Sequence, residues 1–326
     1  HGLGTMPFDH PLNLGLLGMH GARCTNLALE QCDLFIAVGM RFDDRATGKV
    51  AHFCPNASVI HIDIDQSEIH KIRRAHVGII GDSSQVLKEL IPLVEENPRL
   101  TWLRTISELK TSCPLQLPGA DDPGMPYGLI LQTARLVGED AIISTDVGQH
   151  QMWTAQAYPF RHPRQWLTSG GLGTMGFGLP AAIGAALALP ERKVVCFSGD
   201  GSILMNIQEL ATAVEQDVNV KIVLMNNQAL GLVQQQQDFF YGKRIFASRF
   251  QHLPDFIRIA EGFGMKTFDL ALTDDPLATL ERGLQEPGPC LIHAPINTDE
   301  RVYPMVPPGA ANKDMIGGEV YATACA

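Results

Sequence analysis

The sequence predicts an α/β fold built as two parallel-sheet, three-layer domains, and three observations carry that reading. The first is length: 326 residues amount to about two domains at roughly 150 residues each. The second is the alternation of short apolar runs with helical patterns, the order expected when crossover helices connect parallel strands. The third is the stretch from Pro114 to Pro126, which gathers Pro114, Pro118, Pro123 and Pro126 around Asp121 and Asp122 and reads as a linker. The domains are accordingly placed at 1–112 and 127–326, with 113–126 between them.

Each element has its own reason. In the first domain Leu34 to Val38, Val59 to Ile64 and Val77 to Ile80 are apolar runs of strand length, while Ala22 to Gln31 and Ser84 to Glu95 carry helical spacing. After the linker, Tyr127 to Val137 reads as a helix. Strands follow at Ala141 to Thr145, Lys193 to Ser198, Lys221 to Met225 and Cys290 to Pro295, separated by helices at Pro180 to Ala188, Ser202 to Gln216 and Leu253 to Phe263. Gln234 to Gln237 is the one low-complexity feature.

Composition narrows the function. The formal charge is −10, and Lys and Arg form no stripe, which argues against a nucleic-acid partner. The longest weakly polar run, Gly178 to Pro190, is 13 residues and too short to span a bilayer, so no membrane partner is expected. Seven cysteines without a C-x-x-C pair read as reduced thiols of a cytoplasmic protein, with neither disulfide nor zinc. The opening His1-Gly2-Leu3-Gly4 reads like the middle of a domain, so the chain is expected to be part of a longer one. The tail from Val320 to Ala326 matches nothing in this reading.

The chemistry concentrates in one unit. Val194 to Ser198 is a buried strand that runs into Gly199-Asp200-Gly201-Ser202, where a helix begins, and the next strand ends in Asn226-Asn227. Ile203, Ile207, Leu210 and Val214 recur between them at helical spacing. A right-handed crossover makes the two strands parallel, so Asp200 and Asn227 emerge at the same carboxyl edge, where open α/β sheets bind ligands. A carboxylate and an amide oxygen suit a hard cation such as Mg²⁺, which takes further ligands from phosphate and water. A diphosphate is the expected companion, since glycines admit close backbone approach and the helix start at Ser202 supplies N–H groups and a favourable dipole. The plainer reading is a strand-to-helix turn followed by a helix cap. Gly171-Leu172-Gly173-Thr174-Met175-Gly176 also satisfies a dinucleotide fingerprint, but Gln165 to Ser169 before it is a poor buried strand, and Asp200 sits within Gly-Asp-Gly instead of ending a strand freely.

Gly-Asp-Gly, then 24 residues, then Asn-Asn resembles the signature of thiamine diphosphate enzymes, and Ile183, Gly184, Pro190, Val195 and Phe197 match as well. Leu16 to Gly21, Val38 to Arg45, Thr145 to Met152, Ser169 to Gly178 and Tyr303 to Gly309 narrow the resemblance to the large, catalytic subunit of bacterial acetolactate synthase. It covers nearly the whole chain.

The resemblance implies a central FAD-binding domain followed by a thiamine diphosphate domain, with the family's N-terminal pyrimidine-binding domain missing. It implies that Val147, Gly148, Gln149 and His150 flank the diphosphate, that Gly173, Gly201, Ser202, Gly231 and Leu232 complete the cradle, and that Asp200, Asn227 and the Ala229 carbonyl hold Mg²⁺. Met175 would lie beneath the thiazolium, although a Met in such a turn is otherwise plain packing. For FAD it implies Met19 and His20 against the flavin. The local sequence agrees: Gly39 ends a strand, Arg41 and Arg45 can face an anionic diphosphate, and Asp63, Ile64 and Asp82 follow strand ends where a ribose or adenine would sit; the resemblance adds Asp43 to the cofactor-binding residues. The plain alternative for the Arg41 to Arg45 cluster is a solvated set of ion pairs.

The activity implied is condensation of pyruvate with pyruvate or 2-oxobutyrate with loss of CO₂, the first common step toward valine, leucine and isoleucine. The family forms homodimers or tetramers and often pairs with a small regulatory subunit. Its glutamate that promotes the reactive cofactor tautomer has no counterpart here, so the isolated chain is expected to turn over negligibly. Gln236 stands where many relatives carry Trp, which implies weak preference for 2-oxobutyrate and low sensitivity to herbicides that stack on that Trp; an exposed helix turn is the plain alternative. Other readings are a sibling carboligase or 2-oxo acid decarboxylase, and a cofactor-binding module without chemistry.

Overall fold

The computed structural model describes residues 2–252 and 254–317, so the tail from Val320 and the first residue of the helix expected at Leu253 lie outside the described residues. The chain divides into two compact units. One holds Leu14–Gln116 with the segment that begins at Tyr303; the other holds Leu117–Val302 with the residues through Asn13. The division falls inside the Pro-rich stretch, but the two terminal segments group differently from the sequence reading. Contiguity along a chain says nothing about which core an end packs on.

In the first unit, helix α1 (Arg23–Gln31) precedes strand β1 (Leu34–Val38), a short helix α2 (Asp44–Thr47), strands β2 (Ser58–Asp63) and β3 (Val77–Ile80), and helices α3 (Ser83–Leu90) and α4 (Leu100–Ser112). The strands are parallel in the order β1-β2-β3. Helix α3 stops five residues short of the expected Glu95 because Pro92 has no N–H to continue the ladder and turns the chain into a 3₁₀ segment, Ile91–Leu93. Phe35, Phe42 and Phe53 meet edge to face, with centroids 5.3–6.2 Å apart, over one face of the sheet. On the other face of β1, which is an edge strand, Leu34, Ile36 and Val38 remain 44–45% exposed.

The second unit runs α5 (Pro126–Val137), β4 (Ile142–Thr145), α6 (Gln149–Ala157), β5 (Trp166–Thr168), α7 (Gly178–Ala188), β6 (Val194–Gly199), α8 (Asp200–Ile203), α9 (Glu209–Glu215), β7 (Val220–Asn226), α10 (Gly231–Phe240), α11 (Phe256–Gly262), β8 (Lys266–Asp269), α12 (Pro276–Gln285) and β9 (Cys290–Pro295). Its six strands are parallel in the order β5-β4-β6-β7-β9-β8. Both faces are covered. Val195, Phe197, Val223 and Ile292 pack on the side of α5, α6 and α12, whereas Val194, Cys196, Ile222 and Leu224 pack on the side of α7, α9 and α11. This burial on both faces explains why the strands read as continuous apolar runs, each fully buried aliphatic side chain contributing about 1.5–3 kcal/mol.

The helix expected from Ser202 to Gln216 is broken into α8 and α9. Between them the Asn206 amide donates to the Gly176 carbonyl at 2.7 Å, so the chain is held by the glycine-rich turn instead of continuing the helical ladder. The apolar stripe survives, with Ile203 and Leu210 fully buried. Cys24, Cys32, Cys54, Cys196 and Cys290 are free thiols. Cys113 is not among these free thiols, and Cys325 lies outside the described residues.

Candidate active site

The strand order reverses between β4 and β6, since the chain leaves β4 toward β5 on one side and continues from β6 toward β7 on the other. Ligands of open α/β sheets bind at such a switch point, outside the carboxyl ends of the strands. There the structure has a cavity of about 170 Å³. The turn after β4 supplies Val147, Gly148, Gln149 and His150, and the glycine-rich turn before α7 supplies Gly173 and Met175. The end of β6 supplies Asp200, Gly201 and Ser202, and the end of β7 with the start of α10 supplies Asn227, Ala229, Gly231 and Leu232. Gln236, half-buried on α10, is not among the lining residues.

Asp200 and Asn227 meet through one donor. The Ala229 N–H lies 3.2 Å from Asp200 Oδ2 and 3.2 Å from Asn227 Oδ1. Burial pushes the Asp200 carboxyl up to about 6, partly countered by the N–H groups of Gly201, Gln228 and Ala229 that it accepts from. Asn227 Nδ2 donates to Gln149 Oε1 at 2.9 Å, which leaves its oxygen on the Asp200 side. A Cβ at Gly231 would lie 1.8 Å from Gln149 Oε1, so only glycine admits that approach. Ser202 Oγ donates to the Val147 carbonyl at 3.0 Å and ties two of the turns together.

His150 is buried, and burial pushes its imidazole down to about 4 against the pull of Asp146. Its Nε2 has no hydrogen-bond partner, an orphaned polar atom in a cavity wall. A Cβ at Gly199 would come within 2.9 Å of this ring. These features fit a diphosphate and a divalent cation: a carboxylate, an amide oxygen, glycine-sized clearances, an unspent imidazole nitrogen, and the starts of α6 and α8 facing one crevice. Among the described residues no group of three or more His, Cys, Asp or Glu converges on a metal position, and a site with one carboxylate does not require one.

Sequence reasoning missed several contributors. Asp146 is fully buried and accepts from the Gly176 N–H at 2.6 Å and from Ser198 Oγ at 2.9 Å, locking the glycine-rich turn onto β6. Trp153 and Ile296 wall the cavity. Each is an ordinary core residue by local pattern, so no sequence signal marked it except that Asp146 interrupts a buried stretch.

In the first unit, Gly39 ends β1 with φ 62°, and Arg41, Asp43 and Arg45 follow it. Asp63 ends β2 with Ile64 next, and Asp82 follows β3, so all lie beyond the carboxyl ends of one parallel sheet. Part of their capacity is already used. Asp43 caps α2 by accepting from the Arg45 and Ala46 N–H groups, Asp82 caps α3 through Gln85, and Asp63 accepts from the Asp65 N–H at 2.9 Å. Arg41 and Asp43 lie 3.8 Å apart, Arg45 and Asp44 likewise, and Ile64 is 74% exposed. Met19 is half-buried with its sulfur 3.8 Å from Arg45 Nη1. His20 is buried with Nδ1 3.1 Å from the Pro304 carbonyl, and burial pushes it down to about 4. Because a carbonyl only accepts, that Nδ1 carries the proton.

The comparisons with known proteins agree with this architecture. Residues 146–294 match the family of the thiamine pyrophosphate enzyme C-terminal TPP binding domain, and residues 1–90 match the family of the thiamine pyrophosphate enzyme central domain. The chain is 59% identical over 315 residues to the acetolactate synthase isozyme 1 large subunit of Escherichia coli (strain K12), a match that covers 97% of this chain and 56% of that protein. It is 44% identical to the isozyme 2 large subunit of the same organism, covering 97% and 57%, and 45% identical to the acetolactate synthase large subunit of Parasynechococcus marenigrum, covering 97% and 52%. The chain thus spans about half the length of the curated relatives it matches. Residues 1–90 and 146–294 thus carry the central and C-terminal domains of thiamine pyrophosphate enzymes, and the chain is a homologue of acetolactate synthase large subunits.

Proposed function

We propose that this chain is the cofactor-holding portion of a catalytic subunit that condenses pyruvate with pyruvate or 2-oxobutyrate and releases CO₂, in the cytoplasm, on the way to branched-chain amino acids. The observation that carries the proposal is the cavity at the switch point, whose wall joins Asp200, Asn227, His150 and the glycine turns. In this reading Asp200, Asn227 Oδ1 and the Ala229 carbonyl hold Mg²⁺, and Gly173, Gly201 and Ser202 with the Val147 to His150 turn cradle the diphosphate of thiamine diphosphate. When bound, that cofactor supplies a carbon nucleophile and an electron sink for decarboxylation of a 2-oxo acid.

The side chains around it have separate tasks. His150 Nε2 faces the cavity as an unspent hydrogen-bonding atom for the bound group. Met175 offers a polarisable apolar surface against a ring, and Trp153 with Ile296 keeps water from the inner wall. Beyond the cavity, Gln236 gives a second 2-oxo acid less apolar surface than Trp would, which favours pyruvate over 2-oxobutyrate as acceptor. We assign FAD to the carboxyl ends of the first unit's sheet, with Arg41 and Arg45 toward its diphosphate, and we assign a homo-oligomer and a small regulatory subunit as partners.

The test is direct. Thiamine diphosphate titrated into the protein should quench Trp153 fluorescence only when Mg²⁺ is present, and Asp200→Ala should abolish the change. Quenching that persists in Asp200→Ala or in chelator would overturn the assignment. Acetolactate and CO₂ from pyruvate, measured on the cofactor-loaded holoenzyme, test the reaction itself, and a flavin-type visible spectrum of the purified protein tests the first unit.

A further inference from the structure

Gln235 sits in a run of four glutamines whose composition suggests an exposed turn, yet its side chain is fully buried. Its Oε1 accepts from the Val302 N–H at 2.9 Å and from Gln149 Nε2 at 3.0 Å, while its Nε2 donates to the Val302 carbonyl at 3.0 Å. Gln149 Nε2 also donates to the Glu300 carbonyl at 3.0 Å, and its Oε1 accepts from Asn227 Nδ2 at 2.9 Å. The three amides therefore form a directed chain. A backbone N–H can only donate and a backbone carbonyl can only accept, whereas the two ends of a side-chain amide have nearly the same shape.

The direction propagates from the backbone inward. Val302 fixes which end of Gln235 is oxygen; that oxygen and the Glu300 carbonyl fix the nitrogen end of Gln149; the remaining oxygen of Gln149 then demands the nitrogen of Asn227. What is left facing Ala229 and Asp200 is Asn227 Oδ1, the only end of that amide that can ligate a hard cation. Reversing Asn227 would point a donor pair at the cation and place two acceptor oxygens against each other in a buried site, the costly kind of mismatch.

We propose that Gln235 is a positioning residue for the cation site, acting through Gln149 to set the polarity of the Asn227 amide. The proposal rests on the Mg²⁺ reading above and assigns Gln235 no contact with cofactor or substrate. Hydrogen-bonded groups behind metal ligands hold them in orientation, and their loss weakens metal binding by roughly 10–100-fold.

The experiment follows Mn²⁺ uptake by electron paramagnetic resonance in the presence of thiamine diphosphate. Gln235→Leu should weaken uptake by roughly 10–100-fold, while Gln235→Glu, whose carboxyl is protonated in so buried a place and can reproduce the donor and acceptor pattern, should stay within about threefold. The decisive comparison is made in an Asn227→Asp background. A carboxylate has oxygen at both ends, so its polarity needs no setting, and Gln235→Leu should there cause no weakening beyond about twofold, any change being a gain as Gln149 is freed to turn its amide nitrogen toward the carboxylate. Equal weakening in both backgrounds would reduce Gln235 to a packing role and overturn the relay, as would no weakening in either. If the unmodified protein takes up Mn²⁺ no better than Asp200→Ala, the metal reading fails and the relay falls with it.

Discussion

A carboxyl held near pH 6 by burial competes for its proton in the range where many enzymes work. Asp200 must be ionised to ligate a cation, so Mg²⁺-dependent thiamine diphosphate binding should weaken about tenfold for each pH unit below about 6, read by fluorescence titration. His20 gives the opposite kind of test, one of stability. Burial lowers its folded value to about 4 from an ordinary 6.5, so the unfolded chain binds the proton more readily. Its contribution is fully present above pH 6.5 and is lost as pH falls through that window toward 4. The loss is about 3 kcal/mol, and denaturant titrations at pH 7 and 4 should show it vanish in His20→Asn. At this scale the sequence was readable where spacing encodes geometry. Asp200 and Asn227 follow from two strands and one crossover, because parallel pairing leaves their ends no other edge to share. Gln235 was not readable, since a run of glutamines carries the same local signal whether solvent or a buried backbone receives its amides.

Elements were legible in proportion to how much of their burial is local. The central strands β6, β7 and β9 announce themselves as unbroken apolar runs because both faces are covered, and their observed ends lie within a residue of expectation. The edge strand β5 is three half-buried residues, too short for any pattern, and its brevity is also what the dinucleotide reading of the glycine-rich turn lacked. The break between α8 and α9 was invisible because its cause is tertiary: Asn206 is drawn to the Gly176 carbonyl, a partner 30 residues earlier. Asn206→Ala leaves that carbonyl without its donor. It should lower stability by about 1–2 kcal/mol in thermal unfolding, and loosen the turn that carries Gly173 and Met175, seen as weaker thiamine diphosphate binding.

For the whole molecule, the proposed anionic cofactors would meet an acidic protein, so local devices alone would have to hold them: helix starts and backbone N–H groups in one unit, and Arg41 and Arg45 in the other. The net charge of −10 works against both, so cofactor affinity should be set by those groups and not by long-range attraction. The first unit's sheet bears a different consequence. Among the described residues strand β1 pairs on one side only, and its exposed face carries Leu34, Ile36 and Val38, with no lysine, proline or bulge to discourage another copy from zipping alongside. Concentrated solutions should cloud sooner than the net charge suggests, and Ile36→Lys should raise the threshold at which light scattering climbs. A preparation that stays clear without that lysine would mean the rim is already shielded, and whoever purifies this protein would meet the answer first as a matter of shelf life.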